Sequence, residues 1–314
     1  MELSIIIVNW NGGKYIPACL DSIKKTGFNV EYETIVVDNA SDDGSPDFIR
    51  THYPDTQLIA NSTNLGFAAA NNMGMALAHG RYFCLINPDV IVKPDCLKVL
   101  NTYMNCNPDT GIAGPRILNT DHTCQKSTTQ HPGVLDSWLC AFFLHRIMAQ
   151  TNDHSFIREV PVLYGMFWII SRSAWLQVGG LDERFFMYGE DLDWCKRFSD
   201  HGFRVVHVPY ATAIHAGGGC SRRVPIKMAI QIRRSRILYF IKHHGVITGL
   251  IDWSGLMAES FIRILFGILL LPFHLGSLSW ISAYIIRHGA CLEWLVRKGF
   301  LLAIQRPYKE RSGA

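Results

Sequence analysis

Three carboxylates lie within four positions in the stretch FFMYGEDLDW, residues 185–194. They are Glu190, Asp191 and Asp193; a glycine precedes them, and bulky aromatic residues lie on both sides. Carboxylates repel one another, and burying them among aromatic rings is costly unless something compensates for it. Two interpretations are open. The acids can complement the dipole at a helix start, or one of them can take a proton as a general base.

Polar residues also follow several apolar runs earlier in the chain. The set is Asn9, Asp38, Asn61, Asn64, Asn87 and Asp89. A carboxylate such as that of Asp38 can accept a hydrogen bond from a base N–H or a ribose hydroxyl. Asn and Asp also make good turns, so any one position is weak evidence. Their recurrence after four runs in a row favours one shared site.

Three residues have the chemistry of a divalent-metal site. Asp89 in LINPDV follows an apolar run, and beside a diphosphate its carboxylate can hold Mg²⁺ or Mn²⁺, which prefer oxygen ligands. Asn87, two residues earlier, can add an amide oxygen or bind a sugar hydroxyl. His215 in ATAIHAGGG can complete the metal shell as a neutral imidazole. A lone histidine is more often structural, so both interpretations of His215 stay open.

The first half of the chain alternates strand and helix patterns that would position these residues. Apolar, β-branched runs predict strands at 3–8, 32–38, 57–60 and 82–86, and helical patterns lie near 14–25, 45–52, 66–80 and 94–105. Repeated β–α units indicate an α/β fold with a parallel sheet and right-handed crossovers. Ligands of such sheets bind beyond the carboxyl ends of the strands, where the polar residues cluster.

The region from 164 to 209 predicts a second set of elements. Residues 164–180 predict a strand that runs into a helix and stops at a glycine. Residues 190–202 predict a helix with Gly202 at its C-terminal cap, and 203–209 predict another strand. The stretch 120–160 shows no regular pattern. The carboxylate cluster therefore belongs to the first turn of a helix.

Charge is unevenly distributed along the 314 residues. Residues 1–215 hold 16 Lys and Arg against 22 Asp and Glu, net −6, whereas 216–314 hold 14 against 4, net +10. Such asymmetry suggests a basic appendage that faces a membrane or a nucleic acid. The nine cysteines form no CxxC pair, so we expect them to be reduced in a cytoplasmic protein. The start, MELSIIIVNW, does not predict a secretory signal peptide.

The chain changes character after residue 216. Residues 221–245 hold seven Lys or Arg and no acid, and 264–286 are uncharged between two arginines. At about 1.5 Å per residue the uncharged run could just cross a bilayer. Two shorter helices in the membrane interface, or a buried helical hairpin, are alternatives. We expect a domain at 1–220 and a basic, apolar, helical membrane-associating region at 221–314.

Six sequence blocks, in order, resemble family 2 glycosyltransferases with the GT-A fold. They are SIIIVNWN, VVDNASDDGS, NLGFAAANN, INPDV, GGLDERFFMYGEDLDWCKR and IHAGGG. The resemblance is strongest to the rhamnosyltransferase-like branch, which acts on cell-surface polysaccharides. It covers roughly residues 1–220 and extends only loosely to the C-terminal third. It implies a Rossmann-like nucleotide-binding sheet.

The resemblance also implies roles for individual residues. Those that would bind the nucleotide sugar are Val8, Asn9, Asp38, Asn64, Gly66, Asn71 and Asn87. In the Asp-x-Asp motif that holds metal, Asp89 matches and Asn87 departs, which leaves a single carboxylate. His215 matches the histidine that completes the metal site. Asp191 matches the catalytic base, and we expect Glu190 to hydrogen-bond the acceptor.

We therefore expect an inverting glycosyltransferase with a divalent metal, Mg²⁺ or Mn²⁺. The expected donor is a nucleoside-diphosphate sugar, dTDP-rhamnose or a UDP-sugar, and the expected acceptor is a lipid-linked saccharide or a polysaccharide. We expect the enzyme at the cytoplasmic face of the cell membrane, bound peripherally or monotopically. No recognition motif for nucleic acid accompanies the basic run, so we expect no nucleic-acid partner.

Two other classes of protein share some of these features. A sugar-phosphate nucleotidyltransferase has the same type of sheet, but it needs a Gly-rich basic loop after the first strand, and NWNGGKY is a poor one. A non-catalytic, membrane-bound nucleotide-sugar binding protein is the second alternative, and the intact GED and NPD blocks argue against it. P-loop, dinucleotide-binding and nucleophile-elbow motifs do not occur.

Overall fold

A computed structural model describes residues 1–144, 155–217, 224–270 and 278–303. Its strands are β1 (Leu3–Asn9), β2 (Tyr32–Asp38), β3 (Gln57–Ala60), β4 (Tyr82–Ile86), β5 (Val90–Val92), β6 (Thr110–Leu118), β7 (Thr128–Thr129), β8 (Arg158–Glu159), β9 (Val162–Leu163), β10 (Phe167–Ser171) and β11 (Arg204–His215). Its helices are α1 (Ile16–Lys24), α2 (Ser45–His52), α3 (Phe67–Leu77), α4 (Cys96–Cys106), α5 (Asp136–Ala141), α6 (Arg172–Val178), α7 (Glu190–Asp200), α8 (Pro225–His244), α9 (Val246–Leu270), α10 (Leu278–Arg297) and α11 (Gly299–Ala303).

The central sheet has the strand order β3-β2-β1-β4-β10-β6-β11-β5, and β8 pairs with β11 at the side. The four strands predicted in the first half are present and parallel. The expectation of a parallel sheet fails beyond them, because β10 is antiparallel to both β4 and β6. The second half of the chain is not a run of β–α units, so the expectation of parallel strands joined by right-handed crossovers does not hold there. The fold is mixed α/β.

Apolar residues cover both faces of the sheet, as the continuous apolar runs predict. Alternate side chains of β1 enter different clusters: Ile5 and Ile7 pack towards α1 and α4, and Ile6 packs towards α3, α6 and α7. Helix α3 approaches the sheet closely. A Cβ atom on Gly74 would lie 2.5 Å from Ile6 Cγ2, so only glycine fits there. The small-residue composition of α3 therefore has a packing reason.

The carboxyl ends of β1, β2 and β4 meet at one edge of the sheet. Asn9 pairs in register with Asp38, and the Asn61 amide donates to the Asp38 carbonyl. Asn87 follows β4, and its amide donates to the carbonyl of Met166 ahead of β10. The polar residues predicted to cluster thus lie along one edge.

Strand β11 is longer than its sequence pattern indicates. The predicted strand ends at residue 209, but the observed strand continues through a register shift between Val208 and Thr212 to His215. An irregularity of this kind lets a strand bend and then resume its pairing. His215 consequently lies at the end of β11, opposite Val90 of β5.

The basic run of the C-terminal region forms α8, and most of its described cations face the protein. Arg233 pairs with Glu259, Arg236 with Asp252, and Lys242 with Asp182 and Asp193. Arg234 is 7% exposed. The prediction that this run presents a basic surface is therefore wrong for the described part of α8.

The uncharged run 264–286 is not one helix in the structure. Its first part ends α9, its last part lies in α10, and 271–277 fall outside the described residues. The two helices pack antiparallel, since Gly267 lies beside Ile285 and Trp253 donates to the carbonyl of Leu295. Among the residues that the structure describes, α9 is the one helix long and apolar enough to cross a membrane, with a mean hydropathy of 1.5.

Candidate active site

A cavity of about 990 Å³ lies beyond the carboxyl ends of the strands and extends to α8. Its wall includes eight of the eleven residues predicted for the site, namely Val8, Asn64, Gly66, Asn87, Asp89, Glu190, Asp191 and His215. The structure therefore brings the predicted metal and base residues to one cavity. Asn9, Asp38 and Asn71 lie outside its lining and are buried.

Helix α7 begins at the cavity wall, because Gly189 adopts a left-handed conformation with φ of 84°. A side chain there would be strained, and its Cβ would lie 3.0 Å from the Cβ of Ser235 on α8. No side chain caps the helix at this position. Instead, the Leu192 amide donates to Asp191 Oδ1 over 2.9 Å. The chain thus turns sharply and points the first-turn carboxylates in different directions.

Glu190 and Asp191 share the cavity side of this turn. Burial raises the pKa of Asp191 to about 6, although backbone amides such as that of Leu192 oppose the rise. Burial and the nearby charge of Asp191 raise the pKa of Glu190 well above its usual range. Glu190 is 6% exposed, and its Oε2 atom has no hydrogen-bond partner. An ionisable pair of this kind can hold and release a proton near neutral pH.

Asp193 lies on the opposite side of the same turn, against α8. Its carboxylate is fully buried and pairs with Arg197, Lys242 and His243 at 2.9, 2.6 and 2.7 Å. Burial alone would raise the pKa of Asp193, but the hydrogen bond from His243 and the charges of Arg197 and Lys242 outweigh it and lower the pKa. Asp193 is therefore a structural anion and not a proton acceptor.

Asp38 is held within a polar network at the ends of β1 and β2. Its Oδ1 atom accepts from Asn9 Nδ2 at 2.7 Å and from Ser41 Oγ at 2.6 Å, and its Oδ2 atom accepts from the Ser41 amide. Asn9 also donates to Ser45 Oγ. These bonds tie the loops after the two strands together. Asn9 and Asp38 therefore order the loops beside the cavity but do not line it.

Asn39 replaces its neighbour Asp38 in the cavity wall. It donates to the Gly66 carbonyl at 3.1 Å and accepts from Asn61 Nδ2 at 3.0 Å. The sequence did not predict Asn39 for the site. Asp38 and Asn39 are adjacent polar residues after a strand, and their residue types do not show which side chain faces the cavity. Asn71, predicted for the site, instead donates within α3 to the Phe67 carbonyl.

Gly66 joins the start of α3 to the loop before α7. A Cβ at this position, where φ is 87°, would lie 2.4 Å from the Phe186 carbonyl oxygen. The Phe67 amide donates to the same oxygen at 2.7 Å. Asn64 Oδ1 accepts from the Gly66 amide and orders the approach. Glycine is thus required for contact between the two loops that form the cavity wall.

Asp89 and His215 lie in contact at the neighbouring ends of β5 and β11. His215 Nε2 is 3.2 Å from Asp89 Oδ1, and its Nδ1 is 2.8 Å from Gln125 Oε1. Gln125 Nε2 donates to Asn119 Oδ1, so the Gln125 oxygen faces the ring and can accept a hydrogen bond from Nδ1 of His215. Nε2 faces the Asp89 carboxylate. Within the described ranges, no group of three or more His, Cys, Asp or Glu forms a metal site.

Other parts of the cavity wall have no counterpart among the predicted residues. They are Trp10 after β1, Lys126 and residues 129–133 before α5, residues 164–166 before β10, and residues of α8 that include Lys227, Ser235 and Arg236. The stretch 120–160 has no periodic pattern, and the residues of α8 were predicted to belong to a separate basic region. Contacts across such sequence distances leave no local pattern to detect.

Comparison with known proteins gives the chain a family. Residues 4–179 match the family model described as Glycosyl transferase family 2. An N-acetylglucosaminyl-diphospho-decaprenol L-rhamnosyltransferase of Mycobacterium tuberculosis is 26% identical over 268 residues, covering 77% of this chain and 85% of that protein. Rhamnosyltransferase WbbL of Escherichia coli is 27% identical over 220 residues, covering 67% and 82%. The matching relatives thus include rhamnosyltransferases.

Solved structures share the fold at low sequence identity. The mannosyltransferase PcManGT from Pyrobaculum calidifontis, in complex with GDP-Man and Mn²⁺, superposes with a TM-score of 0.56 at 16% identity, covering 93% of this chain and 87% of that one. S. aureus TarS 1–349 in complex with UDP gives 0.53 at 14% identity, covering 95% and 92%. The GT-A fold expected from the sequence is confirmed. The chain belongs to glycosyl transferase family 2 and is a glycosyltransferase of its rhamnosyltransferase-like branch.

Proposed function

We propose that the enzyme transfers a sugar, with inversion, from a nucleoside-diphosphate sugar to a lipid-linked saccharide or polysaccharide. The donor is dTDP-rhamnose or a UDP-sugar, and rhamnose is favoured because rhamnosyltransferases are among the relatives. The family match favours this activity over the nucleotidyltransferase and binding-protein alternatives. The lipid-linked acceptor is supported by the diphospho-decaprenol in the name of the mycobacterial relative.

The state of Asp191 is the observation that supports the proposal most strongly. Its carboxylate lines the cavity at the start of α7, and burial raises its pKa to about 6. Within the part of the chain that the structure describes, no lysine or arginine forms an ion pair with it or with Glu190. A base whose pKa lies near the working pH is well matched to accepting a hydroxyl proton.

Asp191 acts on the acceptor in the proposed step. The acceptor hydroxyl oxygen attacks the anomeric carbon of the donor sugar, and its proton passes to Asp191. The bond from the anomeric carbon to the phosphate oxygen breaks, and the electron pair leaves with the nucleoside diphosphate. Burial and the charge of Asp191 raise the pKa of Glu190, which favours its protonated form, and in that form it would donate a hydrogen bond to another acceptor oxygen.

Asp89 and His215 are the residues that would hold a divalent metal, Mg²⁺ or Mn²⁺. Their 3.2 Å separation suits two neighbouring ligands of one small cation with bonds of about 2.1 Å. With Nδ1 of His215 directed at Gln125 Oε1, Nε2 would be the atom that binds the metal. A bound cation would supply positive charge against the diphosphate.

The remaining residues are proposed to hold the nucleotide sugar. Val8, Asn64, Gly66 and Asn87 face the cavity directly. Asn9, Asp38 and Asn71 are proposed to act by ordering the loops around it. We also propose a membrane-associating region after residue 220, at the cytoplasmic face. Helix α8 nevertheless belongs to the cavity wall, so a boundary at 220 divides the site.

A donor panel tests the proposed function. Full-length protein is incubated with dTDP-rhamnose, UDP-sugars and GDP-mannose in the presence of Mn²⁺ or Mg²⁺, and released nucleoside diphosphate is measured. We expect turnover with one donor, loss of turnover in excess chelator, and weaker metal-dependent donor binding in Asp89→Ala and His215→Ala. Full activity in excess chelator would overturn the metal role. Release from no donor, with folded protein that binds none, would overturn the transferase proposal.

A further inference from the structure

Apolar side chains from two distant parts of the chain form one exposed surface. Phe142, Phe143 and Leu144 follow α5, and Leu265, Phe266 and Leu269 lie near the end of α9. Each side chain is between 39% and 68% exposed. The rings of Phe143 and Phe266 lie 5.2 Å apart, and the Arg263 guanidinium lies 4.0 Å over the Phe143 ring. We call these six residues the α5–α9 face.

The first half of α9 is fixed to the catalytic part of the molecule. Asp252 is fully buried and pairs with Arg236 of α8 at 2.8 Å. Trp138 of α5 donates to the Ile251 carbonyl, and a Cβ on Gly255 would lie 2.3 Å from Ser137 Oγ. These contacts would have to break before α9 could run alone through a bilayer. Uncovering a buried, paired carboxylate is strongly unfavourable in hydrocarbon.

The second half of α9 has the opposite character. Leu265 and Leu269 are one turn apart on the same side, and Phe266 lies beside them, so exposed apolar groups form a continuous patch. Large contiguous apolar patches on a protein surface mark interaction sites. Positive charge lies beside the patch: the Arg263 guanidinium lies over the Phe143 ring and within 3.5 Å of the Tyr284 hydroxyl, and the exposed Arg287 lies over the Tyr284 ring. Apolar insertion together with exposed cations suits an anionic lipid surface.

We infer that the α5–α9 face docks the enzyme into a single leaflet of an anionic membrane, so that α9 lies in the interface and does not span. The face depends on residues 142–144 as much as on α9. It therefore extends the proposed membrane-associating region to a segment far outside 221–314.

The α5–α9 face lies close to the rim of the cavity. Gly133 and Asp136, at the start of α5, line the cavity, and Arg236 links the Gly133 carbonyl to Asp252 of α9. The six residues of α5 span about 9 Å between the cavity wall and the face. A docked enzyme therefore holds the cavity rim close to the lipid head groups. This last step rests on the proposed lipid-linked acceptor, whereas docking itself does not.

Vesicle flotation of the full-length protein tests the inference without any nucleotide sugar. The probe is preformed vesicles of phosphatidylcholine with phosphatidylglycerol. We expect about tenfold or greater loss of binding in Leu265→Glu/Leu269→Glu and, separately, in Phe142→Glu/Leu144→Glu. Leu176→Glu on α6 is the matched control, since this leucine is 69% exposed outside the face, and it should bind as wild type does. Unchanged thermal melting shows that each variant is folded.

Three results would overturn the inference. Wild-type protein that stays unbound excludes docking, and an unaffected Phe142/Leu144 variant excludes the two-part face. Failure of bound protein to transfer to a second vesicle population indicates a spanning helix. If a second copy covers the face instead, wild-type protein sediments as a dimer without vesicles, the glutamate variants are monomers, and flotation does not distinguish them. Because no donor is present, failure of the transferase proposal leaves these outcomes unchanged.

Discussion

The two sides of the first turn of α7 hold carboxylates in opposite states. On the cavity side, burial raises the pKa of Asp191 to about 6 and that of Glu190 further. On the side facing α8, a hydrogen bond from His243 and the charges of Arg197 and Lys242 lower the pKa of Asp193. The residues are at most three positions apart. What separates their roles is the partner each side meets. Arg197 lies on α7 itself, whereas Lys242 and His243 come from α8, and His243 is 50 residues from Asp193 in sequence.

This difference shows how α8 contributes to the site by holding the loop that leads into α7. Lys242 bridges Asp182 and Asp193 at 2.7 and 2.6 Å, one on each side of the loop that leads into α7. Ser235 donates to the Met187 carbonyl within that loop. Among the described residues, Glu190 and Asp191 on the cavity side have no ion-pair partner, while the α8 side holds the loop in place.

The largest expected effect concerns the cavity side. Asp191→Asn keeps the size of the side chain but removes the proton acceptor, and we expect turnover to fall by about 10²–10⁴. Donor binding should stay near the wild-type value, because Asp191 is proposed to act on the acceptor. Turnover and donor affinity measured on the same preparation check this. If Asp191→Asn keeps near wild-type turnover and Glu190→Gln is inactive, then Asp191 is not the base.

Breaking the α8 side should mainly reduce stability. Asp193→Ala leaves Lys242 and His243 without their buried partner, and losing one member of such a group costs about 3–5 kcal/mol of unfolding free energy. Denaturant unfolding measures it, and exposed Asp47→Ala is the matched control. A loss below about 1 kcal/mol would mean that the ion pairs around Asp193 do not hold the loop.

The pH dependence of turnover should follow the titration of Asp191 and not that of Asp193. Asp191 must be ionised to accept a proton, and its pKa is raised by burial to about 6. We expect kcat/KM to fall about tenfold for each pH unit below 6 and to level off above it. Donor binding followed over the same range separates this from loss of donor affinity. A profile that stays flat down to pH 4.5 would be inconsistent with Asp191 as the base.

Local pattern was enough to predict the elements that carry the site. Strands β1 to β4 match their predicted ranges because continuous apolar runs have few other structures available, and polar residues mark where they end. A helix was predicted over 190–202, and α7 begins at Glu190. Asp89 and His215 were predicted for one metal site, and the two side chains lie in contact.

Long-range contacts account for what the sequence could not reveal. The antiparallel insertion of β10 and the continuation of β11 to His215 depend on sheet partners, not on local propensity. The choice of Asn39 over Asp38 for the cavity wall depends on how two loops hydrogen-bond. The ion pairs of α8 cannot be read from a basic run, which looks the same whether its cations face solvent or buried acids.

One measurement tests the division of the α7 turn most directly: the unfolding free energy of Asp191→Asn and Asp193→Asn at pH 7.5 and at pH 4. A carboxyl whose folded pKa is raised contributes stability below its unfolded pKa and loses it as pH rises through the folded value. Asp191→Asn should therefore be more stable than wild type at pH 7.5, by about 1–3 kcal/mol, with the difference vanishing near pH 4.

Asp193→Asn should change stability in the opposite direction. Its lowered pKa gives the wild type stability above the unfolded pKa that is lost as pH falls through the folded value, so the variant should be less stable at pH 7.5. The predicted result is that, at pH 7.5, Asp191→Asn raises the unfolding free energy and Asp193→Asn lowers it. Destabilisation by both, to a similar degree, would contradict it.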